Sequence, residues 1–157
     1  MPTKNQIKKV KQAFISSPKA NDKVLSAIEI AKAVIGIDIM EQHKKKILTE
    51  VQWLISEAHG KYTTKYRTAG VLSDSDESVQ HEHVFPRKKL SLRILNDPIN
   101  IEKYLKDVVG CVVTVNEHNL LSIAEKSNPE LDGWDRYKAA GIVVYDMEQI
   151  PPIEVKF

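Results

Sequence analysis

At 157 residues, with 42% hydrophobic and 28% charged side chains, the chain can bury a core as one domain and is too apolar for overall disorder. One cysteine, Cys111, excludes an internal disulfide and a cysteine-rich zinc site. No apolar run reaches membrane length and the first residues lack the apolar core of a signal peptide, so the cytoplasm is the expected compartment. The net charge of +2 hides an asymmetry: residues 1–93 hold 17 Lys and Arg against 10 Asp and Glu, and residues 94–157 hold 6 against 11. A basic face built by the first part of the chain is expected.

Thr3-Lys4-Asn5-Gln6 has the form of a capping box, and Ile7, Val10, Phe14 and Ile15 follow at helical spacing. A first helix is therefore predicted, ending at Ser16-Ser17-Pro18, because proline bars the residue before it from the α region. Asn21 or Asp22 can cap a second helix through about Val34, with Val24, Leu25, Ile28, Ala31, Val34 and Ile35 as its stripe and Gly36 as its stop. Asp38-Ile39-Met40-Glu41 repeats the box and opens the strongest predicted helix, which runs to His59 before Gly60. Residues 1–60 thus read as a helical platform. Its apolar faces need no ligand, and His43 and His59 read as structural.

From Lys61 the character changes. Tyr62-Thr63-Thr64-Lys65-Tyr66-Arg67-Thr68 interleaves aromatic, hydroxyl and cationic groups, a composition suited to phosphate and sugar. Lys65, Tyr66 and Arg67 are its candidate nucleic-acid contacts. Ser73 to Ser78 is an acidic loop without the oxygen spacing of a calcium site. Then comes Gln80-His81-Glu82-His83-Val84-Phe85-Pro86-Arg87-Lys88-Lys89, the one place where two histidines, a carboxylate and a basic cluster fall within ten residues. Leu90 to Leu95 reads as strand or helix, and Ile99 to Asp107 as a short helix. Cys111 to Val115 is a buried strand, and Asn116 caps a helix from Glu117 to about Lys126. A short helix over Leu131 to Gly141, a last strand over Ile142 to Tyr145 and an extended tail after Pro151-Pro152 complete the chain.

On an extended strand, His81 and His83 share one face and Glu82 points to the other. Two ligand sets follow. His81, His83 and His118 offer three imidazoles, a set suited to zinc. Alternatively, Glu82 and His118 hold magnesium or manganese while His83 stays free as a general base. The same histidines also read as plain surface groups beside a basic patch.

Glu82-His83-Val84-Phe85-Pro86-Arg87 resembles the first strand motif of the HNH, or ββα-metal, nucleases, and Val112 to Asn119 resembles that family's second strand running into its helix. The second motif is closest in wording to the nuclease domains of colicins. The resemblance covers about residues 80–125. The element pattern predicts an α+β fold, a single domain in which the helical platform is followed by residues 61–157 as a nuclease-like portion, and the resemblance implies a hairpin-and-helix unit within it. The resemblance also implies a divalent metal held by Glu82 and His118, with His83 activating water. Arg87, Lys88 and Lys89 would lie near the phosphate backbone, where charge supplies affinity without reading sequence. The chain departs from the pattern in three places. The family's middle Asn or His falls near Val109 or Gly110, the further colicin histidine is Ser122, and an extra helix separates the motifs. Asn116 or Asn119 could stand in as the orienting group. The expected function is a metal-dependent nuclease, on DNA before RNA. The alternative is a non-catalytic module that binds nucleic acid or protein, its partner another protein or a second copy of the chain.

Overall fold

The computed structural model describes residues 13–73 and 75–157. The capping box at Thr3 and the residues Ile7 and Val10 lie outside them, and residues 13–17 are irregular rather than helical. Phe14 meets the edge of the His59 ring at 5.0 Å, and the Ser17 N–H donates to His59 Nδ1 at 3.0 Å.

Helix α1 (Ala20–Gly36) starts earlier than its predicted caps, with Asp22 in the first turn, where a carboxylate complements the helix dipole. Ala27 and Ala31 are fully buried, and their small side chains let α1 approach α2 (Glu41–Ser56) closely. Met40, not Asp38, precedes α2, and no side chain caps it. Two further helices, α4 (Arg87–Asn96) and α5 (Ile101–Leu105), lay Leu90, Ile94, Ile101 and Leu105 into the same cluster as Ala27, Ala31, Leu48 and Val51. The helical platform is therefore not confined to residues 1–60. The ambiguous Leu90–Leu95 run is helical because Leu90 and Ile94, one turn apart, both face this core. Gln52 of α2 fastens the contact, its amide donating to Arg87 O at 3.0 Å and to Ser91 Oγ at 2.9 Å.

Among the described residues the sheet has five strands: β1 (Tyr66–Thr68), β2 (Val79–His83), β3 (Gly110–Thr114), β4 (Val144–Asp146) and β5 (Ile153–Glu154), in the order β2-β3-β1-β4-β5. β2 and β3 run antiparallel, as do β1 with β4 and β4 with β5, while β1 and β3 are parallel. A short α3 (Ala69–Leu72) follows β1, α6 (Val115–Ser127) follows β3 directly, and α7 (Trp134–Ala139) precedes β4. The architecture is mixed α+β, a helical portion followed by strand and helix units, as the sequence predicts. Among the described residues, no helix is long and apolar enough to cross a membrane.

Register assigns the two sides of the sheet. His81 lies opposite Val112 and His83 opposite Gly110, so these four share a face. Glu82 lies opposite Cys111 on the other face, where Cys111 and Val113 pack with Leu121 of α6 and Tyr137 of α7.

Candidate functional site

The alternation of β2 decides what each of its polar residues meets. Glu82 projects toward α6 and α7. Its Oε2 lies 2.7 Å from His118 Nδ1, and its Oε1 lies 3.3 Å from the Arg136 guanidinium. His118 reaches this position because of how α6 begins. Thr114 is the N-cap, its hydroxyl accepting from the Glu117 N–H while Glu117 returns a bond to the Thr114 N–H. The predicted cap, Asn116, instead sits inside the helix, exposed, with its N–H donating to Glu77. Glu117 also accepts from the Thr68 hydroxyl at 2.5 Å and from the Gly70 N–H at 3.2 Å, which locks the first turn to the end of β1.

On the opposite face, His81 and His83 are buried against the α2 side of the molecule. The His83 ring stands edge-on to Trp53 at 4.4 Å between centroids, and the two imidazoles are 5.4 Å apart. His81 Nδ1 is hydrogen-bonded to Lys61 O at 2.5 Å. Burial pushes the His81 pKa down to about 4 and, with the neighbouring His81 and Arg87 adding to it, that of His83 down to about 3. Both rings are neutral at pH 7, and the buried Nε2 of each has no hydrogen-bond partner.

Both faces open onto one cleft at the β2 edge of the sheet, with a volume of about 560 Å³. Glu82, His118, Glu125 and Arg136 line one wall. His81, His83, Trp53 and Arg87 line the other, with Lys88 and Lys89 at its basic end. The sequence reading is thus realised unevenly. Glu82 and His118 come together, whereas His81 belongs to the other wall. Among the described residues, no three His, Cys, Asp or Glu side chains converge to hold a metal ion, so the three-imidazole set is not assembled.

The predicted phosphate contacts also divide. Lys88 is exposed, and the Arg87 guanidinium stacks 4.5 Å from the Trp53 centroid. Lys89 is instead fastened to the Pro129 and Leu131 carbonyls. Arg67 is 1% exposed and donates to Thr64 O, a structural position rather than a substrate contact. Tyr66 packs on Trp134, and Lys65 pairs with Asp146 and Glu148. Neither lines the cleft, nor do Asn116 and Asn119. Ser122 donates to the His118 carbonyl, so it supports the helix backbone.

Two site residues escape the sequence reading. Arg136, inside the short helix predicted over Leu131 to Gly141, is given no role by the sequence reading, yet it is the cation beside Glu82. Glu125 is the other acid within 3.3 Å of it. A partial signal exists for Glu125, which lies seven residues after His118 and so on the same helix face. No family model, curated protein or solved structure matches the chain.

Proposed function

We propose that this cleft binds a phosphodiester of DNA, or less readily of RNA, and hydrolyses it with a divalent metal in the manner of the HNH nucleases that residues 80–125 resemble. The observation that carries the reading is the 2.7 Å approach of Glu82 Oε2 to His118 Nδ1. These are the two side chains that the resemblance makes metal ligands. They come from a strand and from the helix following its antiparallel partner, next to a basic rim.

The donor set fits a hard cation. Glu82 and His118 would hold such an ion through an oxygen and a nitrogen donor, and water and phosphate oxygens would complete its ligand set. Such an ion, when bound, neutralises charge developing on the phosphate and acidifies water. The chain's own residues supply the rest. Arg87 and Lys88 attract the backbone. His83 carries an unprotonated imidazole at neutral pH. With a pKa near 3 it is a weak base, which the negative charge of a phosphate alongside would strengthen. Its Nε2 is covered, so contact with water requires the substrate to shift the wall formed by Trp53 and Arg87.

That covered nitrogen favours a second assignment within the same cleft. The His118 side chain is 38% exposed, and a carboxylate can only accept. Glu82 accepting the Nδ1 proton would orient His118 and leave its Nε2 as the base.

Cleavage of plasmid and RNA with magnesium, manganese, zinc or chelator tests both assignments. Metal-dependent cutting, reduced about 100-fold or more in Glu82→Gln, His118→Ala and His83→Ala, is the expected result. Cutting that survives chelator and His83→Ala but not His118→Ala would install the second assignment. No cutting under any metal, with nucleic-acid retention equal in all variants, would leave a binding module.

A further inference from the structure

We infer that Arg136 is a positioning residue for the Glu82–His118 pair and for the strand end that carries His83, an inference that rests on the reading of that pair proposed above. Arg136 is 3% exposed, and its two terminal nitrogens are committed at the site. One donates to the carbonyls of His83 and Val84, at 3.1 Å each. The other lies 3.3 Å from both Glu82 Oε1 and Glu125 Oε2. A buried guanidinium is costly unless its charge and its N–H groups are met, and here most of those partners sit on or beside β2. Glu82 is consequently held at both oxygens, by Arg136 at Oε1 and by His118 at Oε2, which fixes the plane of its carboxylate. The carbonyls of His83 and Val84 are gripped by the same side chain, so the carboxylate and the strand end are fixed by one rigid group. Lysine, a point charge without the planar fork, cannot span these acceptors.

The support behind Arg136 is equally specific. Its helix begins after Gly133, at φ +55°, and a Cβ there would meet the Phe85 ring at 2.7 Å. Phe85 follows β2 by two residues, so α7 is seated against the strand end that Arg136 grips. Trp134 and Tyr137 anchor the helix from the core on the same side. Of these residues only Phe85 belongs to the nuclease-like motifs; Gly133, Trp134, Arg136 and Tyr137 lie outside them.

The test compares Arg136→Lys and Arg136→Gln with the wild-type chain in three measurements: thermal melting, the manganese concentration giving half-maximal plasmid cleavage, and the side-chain ¹⁵N shifts of His118 in metal-free buffer at pH 8. The wild type is expected to show Nδ1 carrying the proton donated to Glu82. Both variants should change the His118 shifts, because Glu82 is no longer held at Oε1, and raise half-saturating manganese about tenfold or more, with a smaller loss of kcat at saturating metal. Should Arg136→Gln fail to fold, Arg136→Lys decides. A folded Arg136→Lys with wild-type His118 shifts and wild-type manganese dependence overturns the inference and leaves the nuclease reading standing. An inert wild type whose His118 shifts still move in Arg136→Lys removes the nuclease reading and keeps the positioning role.

Discussion

Gly110 shows how one residue type can be dictated from across a sheet. It lies opposite His83 in register, and a Cβ built on it would fall 2.5 Å from the His81 ring atoms and 3.3 Å from the Ser56 carbonyl. The space that a side chain here would enter is filled by an imidazole from the neighbouring strand. Gly110→Ala is expected to destabilise the fold by about 1–3 kcal/mol, the usual range for overpacking, because His81 is held by Lys61 and cannot swing away freely. Gly110→Ala/His81→Ala should cost less than the sum of the two single penalties, as measured by urea unfolding of the four-membered cycle. Strict additivity would mean that the ring does not set the limit. Site residues were legible where chemistry and spacing coincide, as at Glu82 and His118. Composition reports the cations Arg67 and Lys89 and not the backbone carbonyls that hold them. Arg136 was missed because its burial is decided by residues distant in the chain.

The element that carries His118 is held by its first turn. Glu117 serves three other residues, bonding the Thr114 N–H, the Thr68 hydroxyl and the Gly70 N–H, so α6 cannot rotate or slide without breaking contacts to β1 and α3. Glu117→Ala removes a half-buried acceptor from several donors and should cost about 2–3 kcal/mol, whereas Thr114→Ala, which loses one cap bond, should cost about 1 kcal/mol. Thermal melting together with cleavage rate checks this. Glu117→Ala should lose cleavage even at temperatures where it is fully folded, and a folded variant with full activity would show that α6 needs no such lock. Most helices announced themselves by periodicity, and α1, α2 and α6 were legible to within a few residues. Of the strand pairings, the antiparallel partnership of β2 and β3 is the one contained in the hairpin-and-helix expectation, whereas nothing local tells β1 to lie between β3 and β4.

The stability of the whole molecule should carry the signature of its two buried imidazoles. The pKa values of His81 and His83 are lowered to about 4 and about 3, against about 6.5 when unfolded, so the unfolded chain binds protons that the folded chain refuses. Their contribution is fully present above about pH 6.5 and is lost as pH falls from there toward the folded values, at up to about 1.4 kcal/mol per pH unit for each ring. Urea unfolding at pH 7 and pH 5 with chelator present should show this loss, and His81→Gln should flatten it. An unchanged slope in that variant would assign the effect elsewhere. A different consequence follows from the helices lodged between β2 and β3. An ordinary antiparallel pair closes through a turn of a few residues, but this one must enclose residues 84–109, which adds roughly 1.5–2 kcal/mol of loop-closure entropy. That cost is recovered only once α4 and α5 have docked on α1 and α2. The strand bearing Glu82 should therefore find its partner late, so a cavity in the helical cluster, at Leu48 for example, would slow assembly of a cleft that Leu48 does not line.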